Sequence, residues 1–147
     1  MEQRFVETRR SATAPGPATG GRVVSADPPL IAVVDDDESV RESLPGLLRA
    51  LGFRAETFAS GEAFLASEPF DRLDCLILDI TMPGMSGPEV QQELARRGAR
   101  IPIIFITAHT YEAVPPGLIG QGAVDFLFKP FSEEALLAAL DAALLGR

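Results

Sequence analysis

Residues 75–79 read Cys-Leu-Ile-Leu-Asp, four apolar residues closed by an acid. Three other stretches share this form. Leu30–Val34 (LIAVV) runs into Asp35-Asp36-Asp37, Ile101–Ile106 (IPIIFI) into Thr107, and Val124–Phe128 into Lys129-Pro130. A short, continuous apolar run that stops abruptly is the pattern of a strand buried on both faces. Such strands belong to parallel sheets covered by helices on both sides.

The segments between them read as those helices. Ser39–Leu51 carries Val40, Leu44, Leu47, Leu48 and Leu51 at the spacing of one helix face, and Gly52 follows as a stop. Phe53–Phe58 is a weaker strand, and Ser60 caps a short helix through Leu65. Pro88–Arg97 forms a helix closed by Gly98. Ser132-Glu133-Glu134 opens a last helix that runs through Leu144, with two acids at its positive end. The alternation predicts an α/β domain over residues 29–147.

Residues 1–28 differ. Ala12–Gly21 reads ATAPGPATGG, with no apolar period, and predicts a disordered tail. The tail carries a net charge of +1 and the remainder −9, so the acidity belongs to the folded part. A net charge of −8 argues against nucleic acid as a direct ligand. No apolar run approaches the ~20 residues of a membrane helix, and the N-terminus lacks the apolar core of a secretory signal. The single cysteine, Cys75, excludes an internal disulfide framework and suits a reducing cytoplasm.

In open α/β sheets, ligands bind beyond the carboxyl ends of the strands. Here those ends carry Asp35-Asp36, Asp79, Thr107 and Lys129. Carboxylates gathered at one rim cannot all ionise without a counter-charge. A hard divalent cation with oxygen ligands, Mg²⁺ or Mn²⁺ in its place, answers this. Three aspartates, Mg²⁺ and Lys129 then sum to zero charge. Phosphoryl transfer to a carboxylate nucleophile, Asp79, fits such a site. Taken singly each residue has a plainer reading. The Asp run could be a solvated helix start, Asp79 a turn residue before Pro83-Gly84, Thr107 a cap and Lys129 a surface lysine.

The segments VVDDDESVR (33–41), LILDITMPGMSG (76–87), IFITAH (104–109) and GAVDFLFKPF (122–131) resemble the receiver domain of bacterial two-component response regulators. GFRAETFASGEAFL (52–65) and GAVDF point to the FixJ-like subgroup. The resemblance implies a flavodoxin-like (CheY-like) doubly wound sheet of five parallel strands, order 2-1-3-4-5, with about five helices. It implies Asp79 as acceptor of a phosphoryl group from the histidine of a kinase or phosphotransfer protein. Asp36 becomes a direct metal ligand, with Asp35 acting through water and Thr81 giving its backbone carbonyl. Thr107 becomes the switch hydroxyl, Ala108 a small neighbour that leaves the pocket open, and Lys129 the phosphoryl-binding lysine, with a cis bond to Pro130. Phe126 falls at an aromatic position that turns inward on activation, plain core packing being the alternative. Thr81 and His109 fall at positions that tune loss of the phosphoryl group, an exposed loop histidine being the alternative for His109.

Two places depart from the family's pattern. Val114-Pro115-Pro116-Gly117 and Gly120 predict a fourth helix that is short or irregular, and so a remodelled output face. Leu44-Pro45-Gly46 predicts a kinked or loosened first helix. No effector segment follows the last helix in this sequence, so a stand-alone receiver is expected. Three readings follow: a switch that binds an unknown downstream protein, a phosphoryl shuttle or sink, and a phosphorylation-independent binding module. An aspartyl phosphatase with an Asp-x-Asp pair is disfavoured, because Asp79-Ile80-Thr81 lacks the second acid. Catalysis is then limited to the domain's own phosphorylation and dephosphorylation.

Overall fold

In the computed structural model, which describes residues 27–108 and 123–145, the three strongest apolar runs are the central strands of one parallel sheet. The strands are β1 (Leu30–Val34), β2 (Arg54–Phe58), β3 (Cys75–Asp79), β4 (Ile103–Thr107) and β5 (Ala123–Phe128), ordered β2-β1-β3-β4-β5. All four pairings are parallel. Every residue of β1, β3 and β4 is buried, which is why their sequences do not alternate.

Helices α1 (Glu38–Ala50), α2 (Gly61–Leu65), α3 (Gly87–Arg96) and α4 (Glu133–Leu145) cover the two faces. Successive strand residues point to opposite faces, so two cores form. Leu30, Ala32, Val34, Leu76, Leu78 and Phe105 pack with Phe64 of α2 and with Val90 and Leu94 of α3. Ile31, Val33, Ile77, Ile104 and Ile106 pack with Leu44 and Leu48 of α1 and with Leu136 and Leu140 of α4. The sheet order therefore reverses at β1, whose neighbours β2 and β3 lie on either side of it. A crevice opens above the carboxyl ends of β1 and β3.

Local chemistry sets the helix starts. Asp37 caps α1 by accepting from the Ser39 N–H, and Ser60 caps α2 by accepting from Ala63. Ser86 and Glu89 form a reciprocal capping box on α3, with Pro88 in the first turn. Ser132 accepts from the Ala135 N–H, as its sequence position suggested. Several boundaries differ from the expected ones by a residue or two. β4 begins at Ile103 because Pro102 has no N–H to give, although its carbonyl still accepts from Leu76.

A kinked or loosened first helix is expected at Pro45; α1 carries Pro45 inside it and continues over 13 residues. Pro45 is buried between Leu44 and Leu48, so its ring fills core volume that offsets the lost backbone bond. The expected irregular fourth helix (110–121), His109 and residues 1–26 lie outside the described residues. The described part accordingly shows four of the about five helices expected.

Two glycines give opposite expectations. A Cβ at Gly46, in mid-helix, would meet nothing within 4 Å, whereas one at Gly87 would lie 2.4 Å from the Asp79 carbonyl oxygen and 2.9 Å from the Ile80 Cα. Gly46→Ala is expected to stabilise the fold by about 0.5–1 kcal/mol in urea unfolding. Gly87→Ala is expected to destabilise it by roughly 1–3 kcal/mol, since only backbone is available to give way. Equal effects of the two substitutions would contradict this packing.

Candidate metal site at the carboxyl rim of the sheet

Asp35 and Asp36 leave the end of β1 in opposite directions. The Asp35 N–H donates to the Phe58 carbonyl at 3.1 Å, continuing the ladder by one residue. Its carboxylate turns inward and is wholly buried. Oδ1 accepts from the Asp37 N–H at 2.9 Å. Oδ2 is buried without a well-angled hydrogen bond, and its close neighbour is the Lys129 ammonium at 2.9 Å. Asp36 faces solvent.

Asp79 closes β3 and is only 5% exposed. Its Oδ1 accepts from the Thr81 N–H at 3.3 Å, and its Oδ2 lies 3.7 Å from Lys129 Nζ. One carboxylate oxygen from each of Asp35, Asp36 and Asp79 lies within 4.8 Å of the others. Lys129 follows β5, and its N–H donates to the Thr107 carbonyl at 2.8 Å, which ties the ends of β4 and β5 together. The Lys129–Pro130 bond is cis, as the resemblance implied; Glu68–Pro69 is a second cis bond that the sequence did not suggest.

The other residues singled out from sequence surround this group. Thr107 is buried at the end of β4, with Ala108 exposed beside it and Thr81 exposed beyond Asp79. Phe126 is half-buried and stacks on Phe105, ring centroids 5.7 Å apart, so it is a packing residue here. His109 lies outside the described residues.

The electrostatics are unbalanced in favour of the acids. Burial, together with the negative charge of Asp35, pushes the Asp79 carboxyl up to about 7, against the opposing pull of Lys129 and the Thr81 N–H. Burial alone would lower the Lys129 ammonium, but contact with Asp35 and the charges of Asp79 and Asp35 outweigh it and raise the value. Two buried carboxylates thus share one ammonium, with a third, Asp36, close beside them. The donors are all oxygen, and one buried oxygen, Asp35 Oδ2, is under-bonded. This donor set fits a hard divalent cation. Asp35, Asp36 and Asp79 would hold it, with the Thr81 carbonyl close by in sequence.

The chain matches the response regulator receiver domain over residues 31–141 and belongs to that family, the receivers of two-component systems. It is 45% identical over 126 residues to the response regulator protein TodT of Pseudomonas putida, covering 86% of this chain and 56% of that one. It is similar to the crystal structure of FixJ-N, with a TM-score of 0.74 and 37% identity, covering 81% of this chain and 95% of that one. It is also similar to response regulator protein TrrA of Thermotoga maritima, solved in complex with Mg²⁺-BeF (TM-score 0.67, 32% identity, 79% and 99% coverage). The chain spans about half the length of the curated relatives it matches.

Three neighbours of the site were not singled out from sequence. Arg41 Nη1 donates to the Asp35 carbonyl at 2.9 Å. Gly87 packs against the Asp79 backbone. Glu62 accepts from the Met85 N–H at 3.2 Å and lies over Gly84, whose φ of 75° suits only glycine well, so it holds the loop after Asp79. Only a glycine directly before the first-turn proline of a helix, or an arginine one turn into a helix, could have signalled these, and both patterns are common elsewhere.

The raised Asp79 carboxyl makes stability depend on pH. The folded protein holds this proton more tightly than the unfolded chain does. Its contribution is complete below the ordinary value of 3.8 and is lost as pH rises through about 7. Without metal, Asp79→Asn is therefore expected to stabilise the protein at pH 8 by roughly 1–3 kcal/mol, with no gain at pH 4. Urea unfolding in EDTA at both pH values measures it, and a gain that does not change with pH would refute the electrostatic account.

Proposed function

We propose that this receiver accepts a phosphoryl group on Asp79 from the phosphohistidine of a kinase or phosphotransfer protein, with Mg²⁺ bound, and that this changes its binding to a downstream protein. The observation that carries the reading is the Asp79 carboxylate held 3.7 Å from Lys129 and beside Asp35 and Asp36. An Asp79 oxygen attacks phosphorus. The P–N bond breaks, its electron pair leaves on the imidazole nitrogen, and that nitrogen takes a proton from solvent. Asp35, Asp36 and Asp79, with the Thr81 carbonyl, would hold Mg²⁺, or Mn²⁺ in its place, which would supply the positive charge that lets the three acids ionise together. Lys129 neutralises charge on the transferred group, and the Thr107 hydroxyl hydrogen-bonds to it. Thr81 and His109 set how readily water removes it, and Phe126 responds to the new state.

Catalysis on this reading is confined to the protein's own phosphorylation and dephosphorylation. A cytoplasmic location goes with it: among the described residues no helix is long and apolar enough to cross a membrane, and the single cysteine fits a reducing compartment. The net charge of −8 favours protein contact over nucleic acid as the output of this domain.

Incubation with acetyl phosphate and Mg²⁺, followed by intact mass, is expected to show a gain of one phosphoryl group on the wild type. Asp79→Ala, or wild type in EDTA, is expected to show none. An equal gain on Asp79→Ala removes Asp79 as the acceptor.

A further inference from the structure

Of the three acids, Asp36 is the one with nothing to hold its side chain. Asp35 is fixed by the Asp37 N–H and Lys129, and Asp79 by the Thr81 N–H and Lys129. Asp36 is exposed, and its carboxylate makes no hydrogen bond among the described residues. Its position is inherited from the Asp35–Asp36 peptide. That peptide lies past the end of the sheet: the β1–β2 register stops at Val34 and Phe58, and the Asp35 N–H makes the last ladder bond, to the Phe58 carbonyl. A partly buried carbonyl needs a donor. Arg41 provides it: Nη1 reaches the Asp35 carbonyl at 2.9 Å, while the Arg41 N–H donates to the Asp37 carbonyl at 3.2 Å. One residue thus grips the turn that carries Asp36 at both ends.

We infer that Arg41 is a positioning residue for the divalent cation, fixing the turn from which Asp36 reaches the site. The inference rests on the cation reading of the site given above. It has a distinctive sign. The Arg41 charge lies near the acids and by itself opposes a cation, so removing charge alone would tighten binding. Removing the grip on the turn would weaken it. A role in folding alone would lower stability and leave the affinity unchanged.

Calorimetric titration of Mg²⁺ into the wild type, Arg41→Lys, Arg41→Met and Asp36→Asn separates these cases. Partners that orient metal ligands commonly alter affinity by about 10–100-fold. Arg41→Met is expected to raise the Mg²⁺ dissociation constant roughly 10-fold, at the low end of that range. Arg41→Lys, which keeps a donor and the charge, is expected to recover most of it. Circular dichroism in EDTA checks that each variant folds, and Arg41→Leu carries the same expectation should Arg41→Met not fold. Unchanged or tighter binding by Arg41→Met and Arg41→Leu, with binding lost in Asp36→Asn, overturns the role of Arg41 and leaves the cation site standing. Wild type that binds no Mg²⁺ overturns both.

Discussion

Much of this structure follows from one ammonium group shared by two buried carboxylates. Lys129 touches Asp35 at 2.9 Å and approaches Asp79 at 3.7 Å, yet it arrives from β5, while the acids end β1 and β3. Strands lie about 4.8 Å apart, so the lysine must cross most of the sheet's rim to reach Asp35. Parallel pairing throughout puts these three ends on one edge, and the adjacency of β1 and β3 sets the two acids side by side. The bond from the Lys129 N–H to Thr107 then sets the direction in which the side chain leaves. Remove the lysine, and two buried acids face each other without the ammonium that touches both, an arrangement that costs several kcal/mol per ion.

The fold was legible in the sequence because burial on both faces leaves a coarse mark. Leu30–Val34 and Cys75–Asp79 have no polar interruption, so neither can be an exposed strand, and both were located within a residue. Asp79, Asp35, Asp36 and Lys129 were legible for the same reason, since each directly follows or closes such a run. Pro45 shows the reach of a local rule: propensity alone says what a proline costs in a helix, while its burial within α1 depends on the tertiary fold. Arg41, Gly87 and Glu62 act through contacts that no spacing rule encodes. Glu62 meets Met85 across 23 residues, and Gly87 matters only because the Asp79 backbone lies where its side chain would be.

The packing around the site also shows how a change at Asp79 has somewhere to go. Gly87 lets α3 press directly on the Asp79–Ile80 backbone, and the Phe105 ring lies against the same glycine. Phe105 stacks on Phe126, its register partner across β4 and β5. From the Asp79 backbone to the half-buried aromatic on the edge strand there is therefore continuous van der Waals contact. Close-packed interiors deform little, so a displacement at one end is passed on through repacking. Contact of this kind is a route for coupling, and its strength is a separate matter of energy.

The resting electrostatics carry a further consequence for a nucleophilic role of Asp79. A carboxyl pushed up by burial and by Asp35 holds its proton more tightly than a free aspartate does, and a protonated acid is a poor nucleophile. The same burial that excludes water from the site therefore suppresses it as the protein stands alone. Positive charge beyond that of Lys129 relieves both the repulsion and the protonation at once. A site with more ammonium groups would be more stable and less dependent on a cation. The single lysine leaves a deficit of positive charge among Asp35, Asp36 and Asp79, and a cation held between them would make it good.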